Sequence, residues 1–182
     1  MNAVEFFNDV ARPNITAAIQ ADHDYKLAVN AVLSVDATYG ILFEQLRDLG
    51  HPFLHNVAIK SRRWGMQDGD FKEHIAKRSE SFRAIRDAAY ATKHGRLGSA
   101  GRIVRAAEDV ASLELVCGLF ACGDPLGGSA VFIKLADGTL ERSWSLLRRT
   151  ELYTDELLGG LGLAPLTCPI PEYHDAFHPD RN

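Results

Sequence analysis

Asp24-Tyr-Lys-Leu-Ala-Val-Asn-Ala-Val-Leu-Ser-Val-Asp-Ala-Thr-Tyr-Gly-Ile-Leu-Phe-Glu-Gln-Leu-Arg-Asp-Leu49 is the stretch whose reading decides the fold. Ala28, Val32, Val35, Tyr39, Leu42, Leu46 and Leu49 recur at spacings of 4, 3, 4, 3, 4 and 3. That alternation puts one apolar stripe along a helix, and Gly50 stands where a C′ glycine would end it. The pattern predicts one long helix from about Asp24 to Leu49, preceded by a shorter helix after Pro13 with Asn14 or Asp22 as caps. Three heptads are short for an extended coiled coil, so the stripe reads as the core seam of a helical bundle.

Outward from that helix, residues 50–70 carry Pro52, Gly65 and Gly69 and read as a loop. A second long helix is predicted from about Asp70 to His94, with Phe71, Ile75, Phe82, Ile85 and Ala89 inward and Gly95 as its stop. The grammar then changes. Leu113–Cys122 and Ala130–Leu135 are strand-like, and Ala136-Asp-Gly-Thr139 marks a tight turn between apolar runs. A short strand or helix start follows at Leu140–Trp144, and Leu147 to Leu161 suggest a closing helix. The expected fold is α+β, mainly α: a bundle of long helices with a small C-terminal antiparallel sheet and a closing helix. One domain is expected over 1–164, with a β-hairpin insertion near 112–143, and an irregular tail over 165–182.

Apolar residues make up 46% of the 182 and charged residues 24%, enough apolar chain for a substantial core and no signature of disorder. The Leu113–Cys122 run contains Glu114 and falls short of the ~20 residues of a membrane span. The N-terminal residues have no basic region of the kind that opens a signal peptide. A cytoplasmic protein with no membrane role is expected. Cys117, Cys122 and Cys168 form no C-x-x-C pair, which argues against a disulfide or zinc framework. The net charge of −4 is unevenly spread: Lys60–Arg105 carries +7, while residues 1–59 carry −4 and residues 106–182 carry −7. A basic centre between acidic flanks reads first as internal or intersubunit pairing, and second as a nucleic-acid face.

That basic centre contains Phe82-Arg-Ala-Ile-Arg-Asp-Ala-Ala-Tyr-Ala-Thr-Lys-His-Gly-Arg-Leu97. At about 100° per residue, Arg83, Arg86, Asp87, Tyr90, Lys93 and His94 fall within an arc of roughly 120°. The remaining positions are mostly apolar, so the helix is expected to pack on one side and present a cationic strip on the other. Within the strip, Arg83 and Asp87 are spaced to pair. A carboxylate such as Asp87 near the His94 imidazole could set its tautomer and make it a general base. His94 also lies where a cation complements the end of a helix. The motif Arg-Asp-x-Ala-x-Ala-x-Lys-His-x-x-Leu, Arg86 to Leu97, resembles one in bacterial and phage proteins of mostly helical prediction without assigned activity. More distantly it is similar to the HEPN superfamily, helical bundles that form a metal-independent ribonuclease site at a dimer interface. That resemblance implies Arg86, Asp87 and His94 as catalytic residues and RNA as substrate. Seven residues separate Arg86 from His94, a longer gap than the family pattern.

Elsewhere, His174-Asp-Ala-Phe-His178 has the i, i+4 spacing with which two imidazoles can share a metal, next to Asp175. Metal held there would be lost on truncation after Pro171. His51 and His55 repeat the spacing around Pro52, where it reads as fortuitous, and Asp22 and Asp24 read as capping carboxylates. No phosphate-loop or nucleophile-elbow signature occurs, and no cofactor is expected. The expected function is binding, as a homo-oligomer or to a protein partner, through the basic face with Arg83, Tyr90 and Lys93 as contact residues. The alternatives are the ribonuclease and a metal-dependent hydrolase at His174 and His178.

Overall fold

The chain is described by a computed structural model, which covers residues 1–59, 65–98, 101–116, 118–119, 124 and 127–163. Its composition is 62% helix with one three-stranded antiparallel sheet and a closing helix, so the expected α+β, mainly α class holds.

The first helix, α1, begins ten residues before Pro13. Asn2 Oδ1 accepts the Glu5 N–H at 2.9 Å and Glu5 Oε2 accepts the Asn2 N–H at 3.0 Å, a reciprocal cap ahead of Ala3–Phe6. The helix passes through a π turn at Phe7–Ala11 into Arg12–Gln20. The Arg12 N–H reaches back five residues to the Phe7 carbonyl. That extra residue opens the turn just where the Pro13 ring would collide with a carbonyl of a regular helix. Pro13 therefore sits inside the helix, and Asn14 is not a cap.

Helix α2 spans Tyr25–Asp48, and Asp24 caps it by accepting the Lys26 and Leu27 N–H groups at 2.8 and 3.2 Å. The stripe from Ala28 to Leu46 is buried as expected, but Leu49 is 62% exposed because the helix has ended. Gly50 has φ +59°, the Gly50 N–H donates to the Arg47 carbonyl and the His51 N–H to the Leu46 carbonyl. These paired bonds close the helix, and a left-handed backbone there favours glycine. A 3₁₀ turn at Pro52–Asn56 follows.

The predicted single helix over 70–94 is two: α3 at Asp68–Ala76 and α4 at Glu80–His94. Ser79 makes the break, its hydroxyl accepting the Phe82 N–H at 3.2 Å to start α4 afresh. The five residues expected to face inward are all buried. Gly95, at φ +80°, ends α4 as expected, its N–H donating to the Ala91 carbonyl at 2.7 Å.

The sheet runs β1-β2-β3, with β1 Val110–Glu114, β2 Ser129–Lys134 and β3 Leu140–Arg142. β1 begins earlier than predicted and ends at Glu114. Val110 pairs with Ile133 and Leu113 with Ala130 on one side of β2, and Ile133 with Glu141 on the other. The β2–β3 turn is tied by Asp137, which accepts the Thr139 N–H at 2.9 Å. Helix α5, Ser143–Gly160, follows β3 directly and lies against α1, α2 and α4. Val131 and Ile133 of β2 belong to the same core as Leu146, Leu147 and Leu158 of α5, while Leu115, Ala130 and Phe132 form a second cluster.

α2 is the centre of the bundle. Its Tyr39 ring stacks on Phe82 of α4 at 3.9 Å, and its Phe43 meets Phe71 of α3 at 5.8 Å. Tyr39 Oη is 2.9 Å from Thr154 Oγ1 of α5, and burial pushes the phenol so far up that it stays protonated. α2 is also long and apolar enough, by length and composition, to cross a membrane. In this fold its apolar side chains are instead core.

Candidate functional site

α4 sorts its residues, but along a different line from the one the helical wheel draws. Arg86 is 5% exposed and Asp87 wholly buried, so the centre of the expected cationic strip faces inward. The two Asp87 oxygens are fully engaged. Oδ1 accepts from Arg86 Nε at 3.1 Å and Nη2 at 2.9 Å, and from Arg102 Nη1 at 2.6 Å. Oδ2 accepts the Ile103 backbone N–H at 2.9 Å. Arg86 Nη1 completes its own set on Glu73 of α3 at 3.0 Å. A buried carboxylate with two guanidiniums and an amide is stable only as a complete set. This one holds the 101–104 segment and α3 against α4.

The other expected pairings also differ. Arg83 does not pair with Asp87; its Nη2 donates to the Gly101 carbonyl at 2.7 Å. Lys93 Nζ donates to Asp36 Oδ2 of α2 at 2.8 Å. The other Asp36 oxygen lies 3.0 Å from the Nζ of Lys72, which also lies 3.3 Å from Asp68. Lys72 and Asp36 are both buried. Arg96 pairs with Glu108 at 3.0 Å. Asp36 comes from the acidic segment before the basic centre and Glu108 from the one after it. Internal pairing, the first reading of the charge pattern, accounts for these cations.

What α4 leaves in solvent is its C-terminal end. Tyr90 is 46% exposed and His94 is exposed beside it, ring centroids 4.3 Å apart. The Arg102 guanidinium lies 5.0 Å from the centre of the Tyr90 ring, a cation–π contact, while also holding Asp87. Asp87 and His94 share no hydrogen bond, so the carboxylate does not set the tautomer of the imidazole. Arg86 and His94 are not brought together either: the eight helical steps from one to the other span ~12 Å along the axis. The guanidinium is turned inward to Asp87 and Glu73, and the imidazole outward.

No family model, curated protein or solved structure matches this chain. Its chemistry is therefore read from the site alone. Among the described residues, no group of three or more His, Cys, Asp or Glu is placed to hold a metal ion. His174 and His178, and the three cysteines, lie outside the described residues.

Seven side chains of these networks were not picked out from the sequence: Asp36, Asp68, Lys72, Glu73, Arg96, Arg102 and Glu108. One left a usable signal. Asp36 is an acid set between Val35 and Ala37 on the core helix, where an unpaired carboxylate would be costly, so it had to find a cation. Arg102 reaches Asp87 from a segment without regular structure, and no periodicity encodes such a contact.

Proposed function

We propose that this protein acts by binding, as a homodimer, through the solvent side of α4, with Tyr90, Lys93 and His94 at its exposed C-terminal end and the half-buried Arg83 in its first turn. The observation that carries the reading is Tyr90: a large aromatic ring left 46% exposed, flanked by His94 at 4.3 Å and by Arg102 at 5.0 Å. Tyrosine and arginine are enriched among residues that dominate interface energies, because they bury much area and still offer a polar tip. Lys93 and Arg83 stand on the rim, where charge steers a partner more than it holds one. The partner is taken to be a second copy because the chain's own flanks are acidic, at −4 and −7. Arg86 and Asp87 support this face from beneath and are not contact residues.

Sedimentation over a range of concentrations tests the reading. The wild type is expected to dimerise, and Tyr90→Ala or Arg83→Glu to weaken the dimer by about tenfold, near 1.4 kcal/mol. A wild type that stays monomeric, or variants that dimerise equally well, would overturn it. So would cleavage of RNA in EDTA that His94→Ala abolishes, which would point instead to the ribonuclease that the Arg86–Leu97 motif resembles.

A further inference from the structure

β1 is an edge of the sheet, and the ladder shows which of its groups are left open. Antiparallel pairing bonds alternate residues to the neighbouring strand and turns those between them outward. The Leu115 N–H donates to the Gly128 carbonyl at 2.9 Å, and Leu113 pairs with Ala130 and Ala111 with Phe132, so these odd-numbered residues bond to β2. Across β2, the Val131 N–H donates to the Asp22 carbonyl at 2.8 Å, which fixes the same alternation from the other side. The N–H and C=O groups of Ser112 and Glu114 therefore point away from β2, with the Val110 carbonyl beside them. The Val110 N–H itself turns back to the Ala107 carbonyl. Ser112 and Glu114 are exposed, and among the described residues neither amide has a hydrogen-bond partner. A row of open groups of this kind is a template for another strand.

The two ends of β1 differ in charge. The Gly95 carbonyl accepts the Ala107 N–H at 2.8 Å, and the 3₁₀ turn Ala107–Asp109 leads straight into Val110. The exposed end of α4 thus stands where β1 begins. It presents His94 and Arg105, whose carbonyl accepts the Leu97 N–H at 2.7 Å; both side chains are exposed and in no ion pair among the described residues. The acids there are engaged: Glu108 holds Arg96, and Asp109 accepts the Arg105 and Ala106 N–H groups. At the far end of β1 stands Glu114, exposed and in no ion pair among the described residues. The faces differ as well. Val110, Ser112 and Glu114 share the bundle side of the sheet, while Ala111 and Leu113 lie on the other with Leu115 and Phe132.

We propose that the second copy is held along β1: two β1 strands pair antiparallel about a two-fold axis at Ser112, joining the two three-stranded sheets into one. The proposal rests on the homodimer reading and names where the copies are joined. Of the two-fold registers, this one alone pairs all five residues of β1, and it sets open groups against open groups. Each Ser112 N–H donates to the partner's Ser112 carbonyl, and each Glu114 N–H to the partner's Val110 carbonyl. Glu114 then faces an apolar residue and the basic end of the partner's α4, so like charges do not meet. On the outer face, Leu113 meets the partner's Ala111 and extends the cluster of Leu115 and Phe132. The strand seam is short, and the exposed end of α4 beside it adds the area that it lacks.

Hydrogen exchange at the Ser112 and Glu114 amides, followed with sedimentation over the same concentrations, tests this directly. Both amides are expected to exchange freely in the monomer and to gain about tenfold or more in protection as the dimer forms. Ser112→Pro removes the open donor at a position where an edge strand tolerates proline, and is expected to weaken the dimer by about tenfold or more. If Ser112→Pro does not fold, Glu114→Arg, which changes only an exposed side chain, is expected to weaken the dimer by about tenfold, since the contact occurs twice. A wild-type dimer whose two amides stay open would overturn this proposal and leave the α4 reading standing. A wild type that stays monomeric would overturn both. Protection at every concentration in a monomer would mean that the chain covers its own edge, and variants that dimerise like wild type would mean that the seam lies elsewhere; either result overturns the proposal.

Discussion

Asp87 takes four hydrogen bonds on two oxygens with no exposure to solvent. A carboxylate in that position has a testable energetic signature. Asp87→Asn keeps its size but removes the charge facing Arg86 and Arg102, leaving a buried guanidinium short of a partner. The expected loss of stability is about 3 kcal/mol, measurable by urea denaturation; a change under 1 kcal/mol would show that the network is not coupled as described. Arg83→Glu, in the first turn of the same helix, loses only the hydrogen bond to the Gly101 carbonyl and is expected to cost about 1 kcal/mol in urea, well below Asp87→Asn, which separates the buried network from the partly exposed residues of α4. The wheel could not separate them. It places Arg86 and Asp87 in one arc with Tyr90 and Lys93, and the sequence contains no sign that the 101–104 segment would cover half of that arc.

At the scale of elements, the break between α3 and α4 rests on Ser79. Without the hydroxyl that accepts the Phe82 N–H, α4 loses its cap, and Ser79→Ala is expected to cost about 1 kcal/mol in thermal or urea unfolding. A neutral effect would mean that the break is set by packing alone. This break is also where the sequence reading failed. Asp70 to His94 holds no proline, and its only glycine-free interruption is the polar run Lys77-Arg78-Ser79, whose charges suit a helix interior as well as a helix end. Pro13 misled in the opposite sense: it reads as a helix start, yet a π turn carries the helix through it. By contrast α2, the Gly50 and Gly95 stops, and the β2–β3 turn were legible. Each is written in consecutive residues whose spacing or backbone freedom leaves few alternatives. The polar networks join residues far apart in the chain, and local pattern carries no information about them.

For the whole molecule, the bond between Tyr39 and Thr154 links the central helix to the closing one across 115 residues. Tyr39→Phe removes that link and leaves the ring in place, and is expected to lower stability by about 1 kcal/mol and Tm by roughly 2–4 °C. An unchanged Tm in calorimetry would show that the bond serves register and not stability. Other long-range ties converge on the N-terminal helix and its following loop. Arg12 holds Glu151 at 2.9 Å and Asp155 at 2.5 Å, the Asp22 carbonyl accepts the Val131 N–H at 2.8 Å, and the Asp22 carboxylate meets Arg142 at 3.3 Å. In a chain made from its N-terminus, α1 and α2 leave the ribosome long before any of these partners exists. α3 and α4 can cover α2 first, through Phe71 and Phe82, but the part of α1 that packs on α5 stays open until α5 has been synthesised. The bundle thus closes on α1 only when α5 arrives, and the half-made chain is the form most exposed to aggregation.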